Sequence, residues 1–251
     1  MSSPRQLFSS SDRCSSPLAG CLLGLLALLV LACSVQRLLG TSTTFVLGAL
    51  AAYLLGMTIL LASVARGPAL RRFGAANQVT LVRAALVALL FGLVGETPTV
   101  SSAWLAAGVA LLAIALDGVD GWLARRLGLA STFGARFDME TDALLILALA
   151  LLVWQFDKAG YWVLLVGVLR YLFVAAGGLL AWLRQPLPPS KRRQTVCVLQ
   201  VLILIVCLLP PVAPTWSETL AALGLLLLIW SFAVDVVWLA RRARPQTEEA
   251  R

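Results

Sequence analysis

Asp117-Gly118-Val119-Asp120-Gly121-Trp122-Leu123-Ala124-Arg125-Arg126, followed by Gly134-Ala135-Arg136-Phe137-Asp138-Met139-Glu140-Thr141-Asp142, places four aspartates within 26 residues of a chain that holds seven. The runs on either side are apolar over lengths that suit membrane helices. A carboxylate buried in such surroundings costs several kcal/mol unless it is paired or metal-bound. Asp117 and Asp120 are three apart and share a helix face, and Asp138 and Asp142, four apart, share a face of the next helix. Gly121 and Ala124 lie on the first face with side chains small enough for close approach. Arg125 falls near the same face, and Gly134 lies one turn before Asp138. The stretch between Arg125 and Gly134 reverses the chain, so two antiparallel helices turn four carboxylates to one place. A cation must hold them together. Hard oxygen ligands suit Mg²⁺ or Mn²⁺, and a pair of such ions suits phosphoryl transfer.

Working outward, the 251 residues are 60% hydrophobic with a mean hydropathy of +0.92. That is the composition of an all-α, polytopic membrane helix bundle. Apolar runs predict about eight spans, near 18–39, 44–64, 77–95, 102–127, 134–156, 160–183, 195–211 and 219–240. Residues 1–17 read as a Ser-rich cytosolic tail and 241–251 as a polar tail. For the first span a signal peptide is the rival reading, and cleavage within 1–33 is left open. Residues 65–76 are either a surface-lying amphipathic helix or a plain basic loop.

The net charge of +8 belongs to topology and anionic headgroups, with no nucleic acid implied. Seventeen of the 20 Lys and Arg fall in the N-terminal tail, 65–83, 125–136, 184–193 and the C-terminal tail. Those segments alternate along eight spans, so both termini and the aspartates are placed on the cytosolic side. There is no His, which excludes His-based triads and His-ligated zinc. Five Cys without a CxxC pattern read as small apolar residues. Arg170 stands deep in the sixth span, where an Arg is normally paired or faces a wet cavity. It lies about 14 residues, or roughly 21 Å, from the inner end of that span, and Asp117 roughly 15 Å from its own. We expect a ligand phosphate, rather than a purely structural ion pair, as its partner. Glu140 falls off the aspartate face and suits an Arg such as Arg136. Asp235 is read as structural.

Written as spacing, the central stretch is D-x2-D-G-x2-A-R-x8-G-x3-D-x3-D. It resembles the signature of the CDP-alcohol phosphatidyltransferase family at every fixed position. The resemblance covers about 77–240 as a six-span core and leaves spans one and two (18–64) as additions. It implies an integral membrane enzyme, here of a bacterial inner membrane with its site facing the cytosol. Such an enzyme moves a phosphatidyl group from CDP-diacylglycerol to the hydroxyl of a polyol or polyol phosphate and releases CMP. It also implies that Asp117, Asp120, Asp138 and Asp142 hold two Mg²⁺ or Mn²⁺ ions, with Asp142 as general base. Gly121, Ala124, Arg125 and Gly134 would meet the nucleotide. Arg170, Lys191, Arg193, Asn77 and Thr80 form the acceptor or phosphate side. Asn77-x-x-Thr80-x-x-Arg83 is similar to the start of the first core helix in family members. Where phosphatidylglycerophosphate synthases read D-P-x-A-D-K, this chain reads Asp138-Met139-Glu140-Thr141-Asp142-Ala143, which weakens assignment to them. Transfer from CDP-choline or CDP-ethanolamine to diacylglycerol, and a transporter or structural membrane protein, stay open as alternatives. Homodimerisation is open too.

Overall fold

A computed structural model describes the backbone of residues 17–65, 75–127, 132–185, 187–188 and 190–243. Within these, side chains are described except at 17–19, 59–65, 75–77, 120, 122–127 and 132–133. Every regular element among the described residues is helical. The α-helices are α1 (Pro17–Leu39), α2 (Thr43–Ala65), α3 (Ala75–Gly92), α4 (Val100–Leu127), α5 (Thr132–Gln155), α6 (Leu164–Leu179), α7 (Lys191–Leu208) and α8 (Pro214–Ala243). The expected eight spans thus correspond to eight helices, with ends moved by a few residues. The stretches Gly20–Leu39, Val100–Val119, Tyr161–Leu179 and Pro214–Ala243 are each long and apolar enough to cross a membrane. Thr43–Thr58 and Gln78–Gly92 are shorter apolar helices. The tail 1–16, most of the 65–76 segment and residues 244–251 lie outside the described residues.

Packing centres on α3, α4, α5 and α7. Helix α3 packs against α1, α2, α4 and α5, and α7 packs against α4, α5 and α8. Leu89 and Leu90 of α3, Leu149 and Leu152 of α5, and Leu204 and Leu208 of α7 are fully buried. Leu22, Leu23, Leu55, Leu179, Leu226 and Trp230 face outward and are exposed. In water such a shell would be an aggregation surface; on a membrane protein it faces lipid. Two helix pairs approach closely because glycine leaves room. A Cβ on Gly92 would stand 2.7 Å from the Phe45 carbonyl oxygen of α2, and one on Gly167 would stand 2.7 Å from the Leu147 Cα of α5.

The bundle end remote from the aspartates is stitched by polar side chains. Glu96, between α3 and α4, accepts from the Ser42 backbone N–H at 3.1 Å, the Thr44 hydroxyl at 2.9 Å and the Ser42 hydroxyl. Burial pushes the Glu96 carboxyl up, but these hydrogen bonds outweigh it and hold the group below its ordinary value. Gln155, at the end of α5, donates to the Leu93 and Glu96 carbonyls and accepts from the Gly95 N–H at 2.7 Å. Gly95 sits at φ +91°, which that turn requires. Lys158 donates to the Leu209 carbonyl between α7 and α8.

The sixth span differs from its expected form. Its α-helix stops at Leu179, Leu180 is extended, and a short 3-10 turn follows over Ala181–Arg184. Gly177 and Gly178 weaken the helix there. Arg184 then caps the freed end, donating Nε to the Gly177 carbonyl at 2.7 Å and an Nη to that of Gly178 at 3.0 Å. Arg170 is therefore nine residues from its helix end, about 14 Å rather than the 21 Å expected from an unbroken span.

Candidate active site

The site is built on three helices. Arg83 lies on α3, one turn beyond the buried Thr80, and its side chain is 1% exposed. An Arg this deep in an apolar bundle needs partners. It finds three carboxylates. Its Nη1 lies 2.9 Å from Asp117 Oδ1 on α4 and also meets Asp138 Oδ1 on α5. Its Nη2 meets Asp142 Oδ1, one turn further along α5. The planar fork of a guanidinium is what lets one side chain address three acids at once. The aspartates are about one-third exposed, so they face open space on the side away from Arg83.

One carboxylate oxygen from each of Asp117, Asp138 and Asp142 lies within 4.8 Å of the other two. These are hard oxygen donors and suit Mg²⁺ or Mn²⁺. Three ionised acids against one guanidinium leave a formal −2 (−3 + 1), the charge that one divalent ion would balance. The residues present therefore fit such an ion.

Of the other expected site residues, Gly121 and Gly134 are half-buried on α4 and α5. Asp120, Ala124, Arg125 and Asn77 lie outside the described side chains. Arg170 on α6 pairs with Glu140 on α5, so the partner of Glu140 is Arg170 and not Arg136. Arg136 is exposed on the same helix as Glu140, whereas the side chain of Arg170 is only 26% exposed in an apolar helix and takes the acid within reach. Helix α7, with Cys197 half-buried on it, packs against both α4 and α5 and so walls the space beside the aspartates. Lys191 is exposed at the start of α7, and Arg193 donates to the Pro188 carbonyl and lies 3.9 Å from Asp235. No described contact joins Lys191 or Arg193 to the three aspartates. Asp235 of α8 pairs with Arg192, which also donates to the Ser231 hydroxyl at 3.1 Å, tying α7 to α8.

The central position of Arg83 was not legible in the motif. Its signal was present all the same: an ionisable residue eight positions into an apolar helix, which by the reasoning applied to Arg170 needs a named partner.

Residues 73–236 match the family described as CDP-alcohol phosphatidyltransferase. The chain belongs to this family. The matched segment holds the aspartates, Arg83 and Arg170, while α1 and α2 precede it. The chain is also similar to a CDP-diacylglycerol–glycerol-3-phosphate 3-phosphatidyltransferase of Bacillus subtilis (strain 168), 32% identical over 110 residues. That alignment covers 39% of this chain and 56% of the relative, so the chain spans little more than half the length of the curated relative it matches. No solved structure matches the chain. Family membership and the apolar helices together make this a membrane protein of the phosphatidyltransferase type.

Proposed function

We propose that this family member transfers the phosphatidyl group of CDP-diacylglycerol to the hydroxyl of a polyol or polyol phosphate and releases CMP. The reading rests on one observation: three acids from α4 and α5 converge, about one-third exposed, inside the segment that matches the family. In the reaction the acceptor oxygen forms a bond to the phosphorus that carries diacylglycerol. The bond from that phosphorus to the bridging oxygen breaks, CMP leaves with that oxygen, and the hydroxyl proton passes to a base. Asp142 is that base, held in place by Arg83. Asp117, Asp120, Asp138 and Asp142 would hold Mg²⁺ or Mn²⁺, probed best as two ions. Divalent ions supply charge stabilisation for the diphosphate and the departing CMP.

Around them the chain supplies shape and positioning. Gly121, Ala124 and Gly134 leave room for the nucleotide, and Arg125 steadies a phosphate. Arg170, with Asn77 and Thr80, takes the acceptor side, and Lys191 and Arg193 at the start of α7 supply further positive charge for it. The site is read as opening to the cytosol of a bacterial cell, a reading that the basic segments of the sequence support. Glycerol 3-phosphate heads the acceptors to test, because it appears in the name of the Bacillus subtilis relative.

The test is CMP release from CDP-diacylglycerol by the purified full-length protein, with Mg²⁺ or Mn²⁺, across a panel of polyols and polyol phosphates. Release that depends on one acceptor supports the reading. Release only from CDP-choline or CDP-ethanolamine with diacylglycerol would replace it with the reverse division of substrates.

A further inference from the structure

We propose that Arg83 is a resident counter-cation of the aspartate cluster, whose charge holds the three acids together and at the same time weakens their affinity for a divalent ion. This rests on the metal-binding role proposed above for the aspartates. Arg83 takes an Oδ1 atom from each of Asp117, Asp138 and Asp142 with two nitrogens of one guanidinium. A divalent ion needs lone pairs from the same three groups, which already lie within 4.8 Å of one another. Both cations therefore draw on one set of acids, Arg83 through the Oδ1 atoms and an ion from the open side. The guanidinium cannot leave, because its stem is fixed on α3 between α2, α4 and α5, and the side chain is 1% exposed. It stays beside an incoming ion as a like charge. The same residue thus has two opposed effects. It keeps three acids on two helices from repelling one another, and it weakens the first binding of metal.

The chemistry sets the size. A guanidinium beside a carboxylate lowers its affinity for a proton by one to three decades, and the same repulsion acts on an ion of twice the charge. Removing Arg83 while keeping its bulk should therefore tighten metal binding by at least about tenfold.

The test uses full-length protein in nanodiscs and Mn²⁺ alone, followed by the loss of free-ion EPR signal. Wild type, Arg83→Gln, Arg83→Lys and Asp117→Asn are compared, each purified with Mn²⁺ and then stripped. We expect Arg83→Gln to bind Mn²⁺ at least about tenfold more tightly than wild type and Arg83→Lys to stay within about threefold, because the ammonium keeps the charge. The Tm lost on adding EDTA should be larger in Arg83→Gln than in wild type by about 5 °C or more. Equal or weaker Mn²⁺ binding by Arg83→Gln would overturn the proposal. So would an Arg83→Gln protein that stays unfolded at saturating Mn²⁺, since the ion should then replace the lost charge. If the aspartates do not bind metal at all, wild type and Asp117→Asn will take up Mn²⁺ alike or not at all. That result is distinct from a site that binds in wild type, is lost in Asp117→Asn, and ignores Arg83.

Discussion

Glu140 offers a direct handle on acceptor choice. Its carboxylate pairs with an Nη of Arg170 across α5 and α6, and the side chains are 50% and 26% exposed. Under the proposed function Arg170 binds a negatively charged acceptor, which must then displace or share Glu140. The pair is partly solvated, so it is worth about 0.2–1 kcal/mol, and the lower half of that range applies at high salt. Replacing Glu140 by Gln keeps the shape and removes the competing charge. A gain of 0.2–1 kcal/mol corresponds to about 1.4- to 5-fold in binding. The Glu140→Gln protein should show a KM for glycerol 3-phosphate lower by about 1.4- to 5-fold, with no change in KM for a neutral polyol. Arg170→Gln should act the opposite way, raising the KM for the phosphorylated acceptor by about tenfold or more, as expected for a lost charged hydrogen bond. The assay is initial-rate CMP release at fixed CDP-diacylglycerol with each acceptor varied. Equal shifts for charged and neutral acceptors in both variants would refute the reasoning, since that pattern is a structural effect of breaking the α5–α6 contact.

Other consequences follow from single contacts. Asp142→Asn should abolish CMP release while leaving part of the CDP-diacylglycerol binding, measured by equilibrium retention of labelled lipid; near-normal turnover would remove Asp142 as the base. Glu96 is held below its ordinary value near 4.5 by Ser42 and Thr44, so its contribution to stability is present above that value and is lost as the pH falls through its lower folded value. Glu96→Gln should therefore flatten the acid side of a Tm–pH profile, and an unchanged profile would mean that the clasp carries no stability. Gly167→Val should cost about 1–3 kcal/mol, because its side chain must enter space held by the Leu147 backbone; a thermal melt no lower than wild type would contradict the close approach of α5 and α6.

How far the sequence could be read depended on whether a residue's partner was local. Asp138 and Asp142 were legible as a pair because four residues on a helix fix their mutual position before any tertiary contact forms. The helices were legible for a similar reason, since a run of some twenty apolar residues has few other fates in a membrane protein. Long-range partners were not. Glu140 had Arg136 one turn away on its own helix, and local spacing favoured it. The choice of Arg170 instead required knowing that α6 lies against α5 at that height, where Gly167 lets the backbones approach. The end of α6 was hidden similarly. Gly177 and Gly178 weaken a helix without ending it, and the break becomes stable when Arg184 folds back onto their carbonyls.

Arg83 combines both cases. As one of four basic residues in the 65–83 segment, it reads as part of a charge pattern that sets topology. Its distance from the helix start argues otherwise: eight residues into α3 is about 12 Å, too deep for a headgroup contact and close to the roughly 15 Å depth of Asp117 and Asp142 in their own helices. Depth can be counted from sequence, whereas azimuth cannot. Three acids and one guanidinium at similar depths on three helices could have faced lipid, one another or a cavity. Only the first is forbidden by the cost of charge in hydrocarbon. The packing of α3 against both α4 and α5 decides between the other two, and the open third of each aspartate shows that it grants some of each.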